Sequence, residues 1–253
     1  MAFINIKFMS EVLGRQSDIN VIVPQKRTQG QIGIENKAEG NEYKTLLLLH
    51  GLSDNNTIWQ RFTSIERYAI EKGIAVIMPS ADRSFYTDMK YGDNYFTYIS
   101  EEVLAVARQF LPLSEKREDN YVAGLSMGGY GALKIGLKKP DKFAMAAGLS
   151  SVADVEKFLS EHSTNLKYPI FGDGPIPASE NLFCLAEECN KSEIKPRIYM
   201  GEGLQDFMYE DNIRLKEKFE SLDFDFTYRE SKGDHCWKFW DEYIQYVLEW
   251  MFD

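Results

Sequence analysis

Two stretches near the start, "FINIKF" (3–8) and "DINVIVP" (18–24), alternate apolar and polar residues and predict an antiparallel pair of strands, the second closed by Pro24. After a polar, glycine-containing connection over 28–42 the pattern changes. "KTLLLLHG" (44–51) is an unbroken apolar run, as expected of a strand covered on both faces by helices. Ile58, Phe62, Ile65 and Ala69 recur at helical spacing, Gly73 follows, and "IAVIMP" (74–79) reads as another buried strand. Residues 81–98 are aromatic and polar without a period, which predicts a loop. Val103, Ala107 and Phe110 then mark a helix ended by Pro112. "NYVAG" (120–124), "GGYGALKIGLKK" (128–139) and "FAMAAGLS" (143–150) repeat the order strand, helix, strand, the helix stopping before Pro140.

From 150 to about 195 the rhythm breaks. "YPIFGDGPIPASENL" (168–182) carries three prolines and two glycines in 15 residues, which predicts an irregular insertion, placed to act as a cap. Alternation returns with "PRIYMGEG" (196–203), a helix bearing Leu215, Phe219 and Leu222, the strand "DFDFTYRE" (223–230) and a turn at "SKGDH" (231–235). A last helix sets Trp240, Ile244, Val247 and Met251 on one face. The sum is an α/β fold, a mostly parallel central sheet flanked by helices, with residues 1–253 as one domain and 150–195 as its excursion.

Composition narrows the class of partner. At 253 residues and 44% hydrophobic, the chain suits one large domain better than two small ones. The formal net charge of −10, with no basic run longer than "LKK" at 137–139, argues against nucleic acid or an anionic membrane surface as the main partner. A small neutral ligand fits better. The N-terminal "MAFINIKFMSEV" has neither a charged leader nor a long apolar region, so no signal peptide is expected, and no window approaches bilayer-spanning length. Three cysteines, Cys184, Cys189 and Cys236, form an odd set without zinc-ligand spacing, which predicts buried or half-buried free thiols in a reducing compartment. The oligomeric state stays open, a homo-oligomer included.

The chemistry concentrates in "VAGLSMGGYGALKI" (122–135), where four glycines surround Ser126. Glycine weakens helices and strands alike, so such a cluster marks a close backbone approach. "GLSMG" fits G-x-S-x-G, a turn from strand to helix so sharp that the serine hydroxyl is held exposed in a strained conformation. By chance the five-residue pattern occurs in roughly one chain in ten of this length, so its weight comes from the strand before it and the helix after it. A dinucleotide-binding turn is the competing reading. It fails because Lys134 stands where a third glycine is needed and the next strand ends in "GLSS" without an acidic residue.

A serine hydroxyl is a poor nucleophile until a base takes its proton, and histidine is suited to that. His162 falls in the irregular excursion and reads as solvated; His50, at the end of "LLLLHG", reads as support for the adjoining turn. His235, in the turn between the last strand and last helix, is where the order Ser, Asp/Glu, His places the base. The carboxylate that orients it should follow "PRIYMGEG": Asp206 is the candidate, with Asp211 and Glu202 in reserve, while Asp234 reads as a turn former. Backbone amides of Met127 and of Leu52, in the turn "HGLSDN", are the candidate oxyanion donors. Trp59, Phe85, Tyr86, Phe207 and Trp237 are candidates for lining a substrate pocket, with core packing the plainer reading of each.

Together, "LLLLHGLSDNNTIW", "YGDNYFTYISEEV", "VAGLSMGGYGALK", "QDFMYEDN" and "GDHCWKFW" resemble the esterase D group of α/β-hydrolases, most closely the tributyrin esterases, or acetyl esterases, of Gram-positive bacteria. The resemblance implies an α/β-hydrolase fold and a cytoplasmic, cofactor-free, metal-independent carboxylesterase for short acyl chains. Ser126, His235 and Asp206 match its triad positions, and Leu52 and Met127 its oxyanion donors. The group also includes S-formylglutathione hydrolases and feruloyl esterases. "HGLSDNN" departs from the "GLTC"-like turn expected of the former. A hydrolase-like fold that binds without turnover, and acyl transfer to an alcohol instead of water, are the remaining alternatives.

Overall fold

The structure, a computed structural model, describes residues 1–25, 32–35, 37–38 and 40–252. The connection expected over 28–42 therefore lies partly outside the described residues. Strands β1 (Ala2–Ser10) and β2 (Arg15–Val23) pair antiparallel, as their alternation predicts. β3 (Thr45–Leu49) is buried throughout. Its period of two sends Leu47 and Leu49 into the core on one face of the sheet and Leu46 and Leu48 into the core on the other.

The helical spacing from Ile58 to Ala69 predicts one helix, but two form: α1 (Ile58–Phe62) and α2 (Ile65–Lys72). Thr63 between them is extended, and its hydroxyl donates to Trp59 O at 2.5 Å, a local bond that competes with helix continuation. Phe62 is consequently half-exposed, not a core residue. β4 (Ala75–Pro79) follows. The loop expected over 81–98 ends early, because Tyr95–Thr97 (α3) and a π-helical turn over Tyr98–Glu102 run directly into α4 (Val103–Phe110). Phe110, at the end of α4, is exposed.

β5 (Asn120–Leu125), α5 (Met127–Lys138) and β6 (Met145–Leu149) follow the predicted rhythm. The excursion, expected to be irregular, is largely helical: α6 (Val155–His162), α7 (Thr164–Phe171) and α8 (Leu182–Asn190), with the proline-rich segment between α7 and α8. Side-chain caps explain two of the starts, Asp154 accepting from Lys157 N and Asn181 from the amides of Phe183 and Cys184. β7 (Arg197–Gly203), α9 (Tyr209–Glu220), β8 (Phe226–Ser231) and α10 (Trp237–Phe252) complete the chain.

Among the described residues eight strands form one sheet in the order β1-β2-β4-β3-β5-β6-β7-β8, parallel from β4 to β8 and antiparallel where β2 meets β1 and β4. With helices on both faces, this is the α/β-hydrolase architecture. A buried lysine is among the side chains that bind the excursion to its body. Lys134 on α5 is fully buried, and its ammonium reaches Glu180 Oε2 at 2.8 Å, Thr87 Oγ1 at 2.7 Å and Phe85 O at 3.1 Å. Burial lowers its pKa from 10.5 to about 8 against the opposing pull of Glu180. Lys138 holds the other oxygen of Glu180 at 2.9 Å.

Candidate active site

Ser126 caps α5 with φ 54° and ψ −118°, a strained backbone for a residue with a side chain. The surrounding sequence makes that conformation affordable only with glycine on both sides. A Cβ on Gly124 would lie 2.3 Å from Gly128 O, and one on Gly128 would lie 2.5 Å from Leu49 O and 2.6 Å from His50 O. At Gly131 the ring of Tyr86 fills the space a Cβ would take. Ser126 N donates to Leu149 O at 2.8 Å, and Ser126 O accepts from Val152 N at 3.2 Å, so β6 and the chain after it hold the turn.

Three predicted residues meet. His235 Nε2 lies 3.0 Å from Ser126 Oγ, and His235 Nδ1 lies 2.8 Å from Asp206 Oδ2. Asp206 Oδ1 accepts from Met208 N at 3.0 Å, which fixes the carboxylate against rotation. Burial alone would push the Asp206 carboxyl up, but hydrogen bonds and charge from His235, together with the Met208 amide and Ser150, hold it below the usual carboxylate range. An Nδ1–H donated to that carboxylate leaves Nε2 free to accept the serine proton. Of the reserves, Asp211 stands on α9 in ion pairs with Lys157 and Arg214, and Glu202 is wholly buried on β7. Asp234 is exposed, its carbonyl accepting from Cys236 N in the turn, as expected of a turn former.

The turn after β3 comes alongside. A Cβ on Gly51 would be 3.8 Å from Ser126 Cβ, and Leu52 lines the cavity in front of the serine; Met127 is the first residue of α5, its side chain buried. His50 does support this turn. Its Nε2 accepts from Ala81 N at 2.9 Å, so Nδ1 carries the proton and donates to Gly51 O at 2.7 Å; burial lowers its pKa and keeps the ring neutral.

The cavity, about 470 Å³, corrects the aromatic candidates. Phe207 and Trp237 line it; Trp59, Phe85 and Tyr86 do not. All three are buried in the core. The Trp59 indole donates to Leu49 O at 2.9 Å and the Tyr86 hydroxyl to His50 O at 2.8 Å, so both brace the β3 turn, while Phe85 packs on Tyr130 and Phe158. Two lining residues escape sequence reasoning. Phe158 enters from α6, and Trp240, readable only as part of the apolar face of α10, meets the His235 ring edge-on with ring centroids 4.8 Å apart and donates to Ser150 Oγ at 3.2 Å. His162 is exposed, as expected of a solvated residue, yet its ring lies between those of Phe158 and Phe207, at 5.2 and 5.3 Å. No local pattern marks which face of α6 or α10 meets a cavity formed by segments so far apart. The three cysteines are free, with Cys236 at the cavity wall, Cys189 buried and Cys184, against expectation, exposed.

Comparison with known proteins adds to this geometry. A protein-family model described as "Putative esterase" matches residues 10–250. An acetyl esterase of Caldicellulosiruptor saccharolyticus is 32% identical over 267 residues, covering 99% of this chain and 98% of that protein. Among solved structures, the substrate-bound fluorophosphonate-binding serine hydrolase FphF of Staphylococcus aureus superposes with a TM-score of 0.89 at 35% identity, covering 100% of this chain and 98% of that one. The S-formylglutathione hydrolase FrmB of Staphylococcus aureus superposes with a TM-score of 0.87, also at 35% identity, covering 100% and 99%.

Proposed function

The chain belongs to this esterase family, and we propose that it is a serine carboxylesterase hydrolysing short-chain acyl esters, acetyl to butyryl, through an acyl-enzyme. The observation that carries the reading is the unbroken hydrogen-bonded series from Ser126 Oγ through the His235 ring to Asp206 at the wall of an aromatic cavity. Ser126 attacks the ester carbonyl as His235 Nε2 takes its proton, and the imidazolium, held by Asp206, returns that proton to the leaving alcohol. Water then enters, gives a proton to the same nitrogen and attacks the acyl-serine; as the intermediate collapses the imidazolium returns that proton to Ser126 Oγ and the acid is released. The oxyanion formed at each attack is met by the amides of Leu52 and Met127, a role supported by the closeness of the β3 turn to Ser126 and by the position of Met127 at the positive end of α5. The chemistry calls on no cofactor from the protein's side chains beyond these groups.

Phe158, Phe207, Trp237 and Trp240 enclose the acyl side and set a short limit on chain length, which gives the excursion its role: α6 supplies Phe158 and acts as a wall. Free thiols support a reducing compartment, the cytoplasm. Among the described residues no helix is long and apolar enough to cross a membrane. A chain-length series of p-nitrophenyl esters tests the reading, with Ser126→Ala as the control and a fluorophosphonate probe as the label. Acetyl to butyryl esters should turn over best and the probe should modify Ser126; an optimum at about eight carbons or more rejects the short-acyl assignment, and a folded protein that takes no label is a binding module instead. The likeness to FrmB favours one second substrate, a thioester, so S-formylglutathione belongs in the same series.

A further inference from the structure

Glu202 is the buried acid that the reaction above leaves unused. It ends β7 four residues before Asp206, is 0% exposed, and receives one donor, Gly203 N at 3.2 Å on Oε1. Its Oε2 is buried and has no donor directed at it. The ionisable groups around it are Asp206 in the next turn, Tyr228 and, in register across the strand pair, Glu230 on β8, Tyr209 at the start of α9, and Tyr243 of α10 packed on Gly201. None is a cation. An ionised Glu202 would be an uncompensated charge beside a carboxylate, Asp206, that His235 already keeps ionised, and two such neighbours cannot both ionise at neutral pH. Burial first, and the charge of Asp206 second, push the Glu202 carboxyl well above the usual carboxylate range. An oxygen with no donor aimed at it is then what a carboxylic O–H requires, and the neighbouring Asp206 carboxylate is the acceptor available to it.

We propose that Glu202 is a positioning residue for the catalytic acid: it stays protonated and donates from Oε2 to the Asp206 carboxylate, orienting it toward His235 and withdrawing part of its charge. The proposal rests on the triad reading. Without this donor, Asp206 concentrates more charge on the imidazole and favours the imidazolium, so His235 becomes a competent base only at higher pH.

The test compares Glu202→Leu, Glu202→Gln and Ser126→Ala with wild type, using p-nitrophenyl acetate across pH and thermal melts for folding. Glu202→Leu should lower kcat/KM at neutral pH by about 10- to 100-fold, the scale of a misplaced catalytic group, and move the acid limb of the profile upward. Glu202→Gln, whose amide N–H replaces the donor, should recover most of both. A folded leucine variant with the wild-type limb and rate, or a folded glutamine variant as impaired as the leucine one, overturns the proposal. An active Ser126→Ala instead overturns the triad reading itself. Should the leucine variant not fold, infrared spectra decide: wild type should show a protonated-carboxyl band at neutral pH that Glu202→Gln lacks, and identical spectra overturn the proposal.

Discussion

Replacing Lys134 by methionine removes the fully buried one of two ammonium groups by which α5 holds Glu180 of the excursion. The side chain is 0% exposed and serves three acceptors, of which Glu180 is itself only 13% exposed. Removing one member of a buried pair costs about 3–5 kcal/mol, because the other charge is left without its partner. Glu180 retains Lys138 at 2.9 Å, so the cost falls at the lower end, about 3 kcal/mol. For a chain of this size that lowers Tm by about 6–12 °C, followed by circular dichroism at pH 7. The double variant Lys134→Met/Glu180→Leu, which exchanges the pair for apolar groups, should regain at least half of the loss. The sign of the pH dependence is a second check. The folded chain releases the Lys134 proton at about pH 8, whereas the unfolded chain holds it to 10.5, so between these values wild type gains stability as pH rises. Its lead over Lys134→Met should therefore widen, by up to about 2 kcal/mol between pH 8 and about 9.5. A single variant that melts within about 2 °C of wild type, or a lead that narrows over that interval, refutes the reasoning.

Four further outcomes follow from the site. Asp206→Asn should lower kcat on the order of 10⁴-fold, because an amide N–H facing Nδ1 forces the proton onto Nε2 and removes the acceptor for Ser126; a rate above a tenth of wild type in an ester assay contradicts this. Because the folded pKa of Asp206 is depressed below 3.8, the stability it contributes is present above that value and lost as pH falls through the folded one, so urea melts of wild type and Asp206→Asn should converge on acidification. Gly128→Ala should lower stability by about 1–3 kcal/mol and kcat/KM by about 100-fold, since the added carbon presses on the Leu49 and His50 carbonyls and displaces the β3 turn; wild-type kinetics would mean that the turn does not serve the nucleophile. Phe158→Ala should shift the ester optimum toward longer acyl groups, and an unchanged chain-length profile would remove α6 from the acyl wall.

Much of this molecule is legible along the chain because backbone demands are local. The glycines around Ser126 mark a turn with no room for a Cβ, the apolar runs at 45–49 and 120–125 mark strands covered on both faces, and the order serine, acid, histidine puts each partner at the end of a parallel strand. The helices of the excursion are hidden because the prolines and glycines between Pro169 and Pro177 break the pattern at its centre, while capping by Asp154 and Asn181 starts the helices on either side. Tertiary packing alone decided which aromatic rings line the cavity in front of Ser126. Trp59 and Tyr86 are pocket candidates in the sequence, but their polar atoms are drawn inward to carbonyls of the β3 turn, and Phe158 and Trp240 take the wall instead. It also decided that Lys134 is buried and that Glu202 lies against Asp206 rather than replacing it. Periodicity reports the face a side chain occupies on its own element. What stands opposite that face depends on segments a hundred residues away, and only their packing determines whether a ring meets solvent, substrate or another ring.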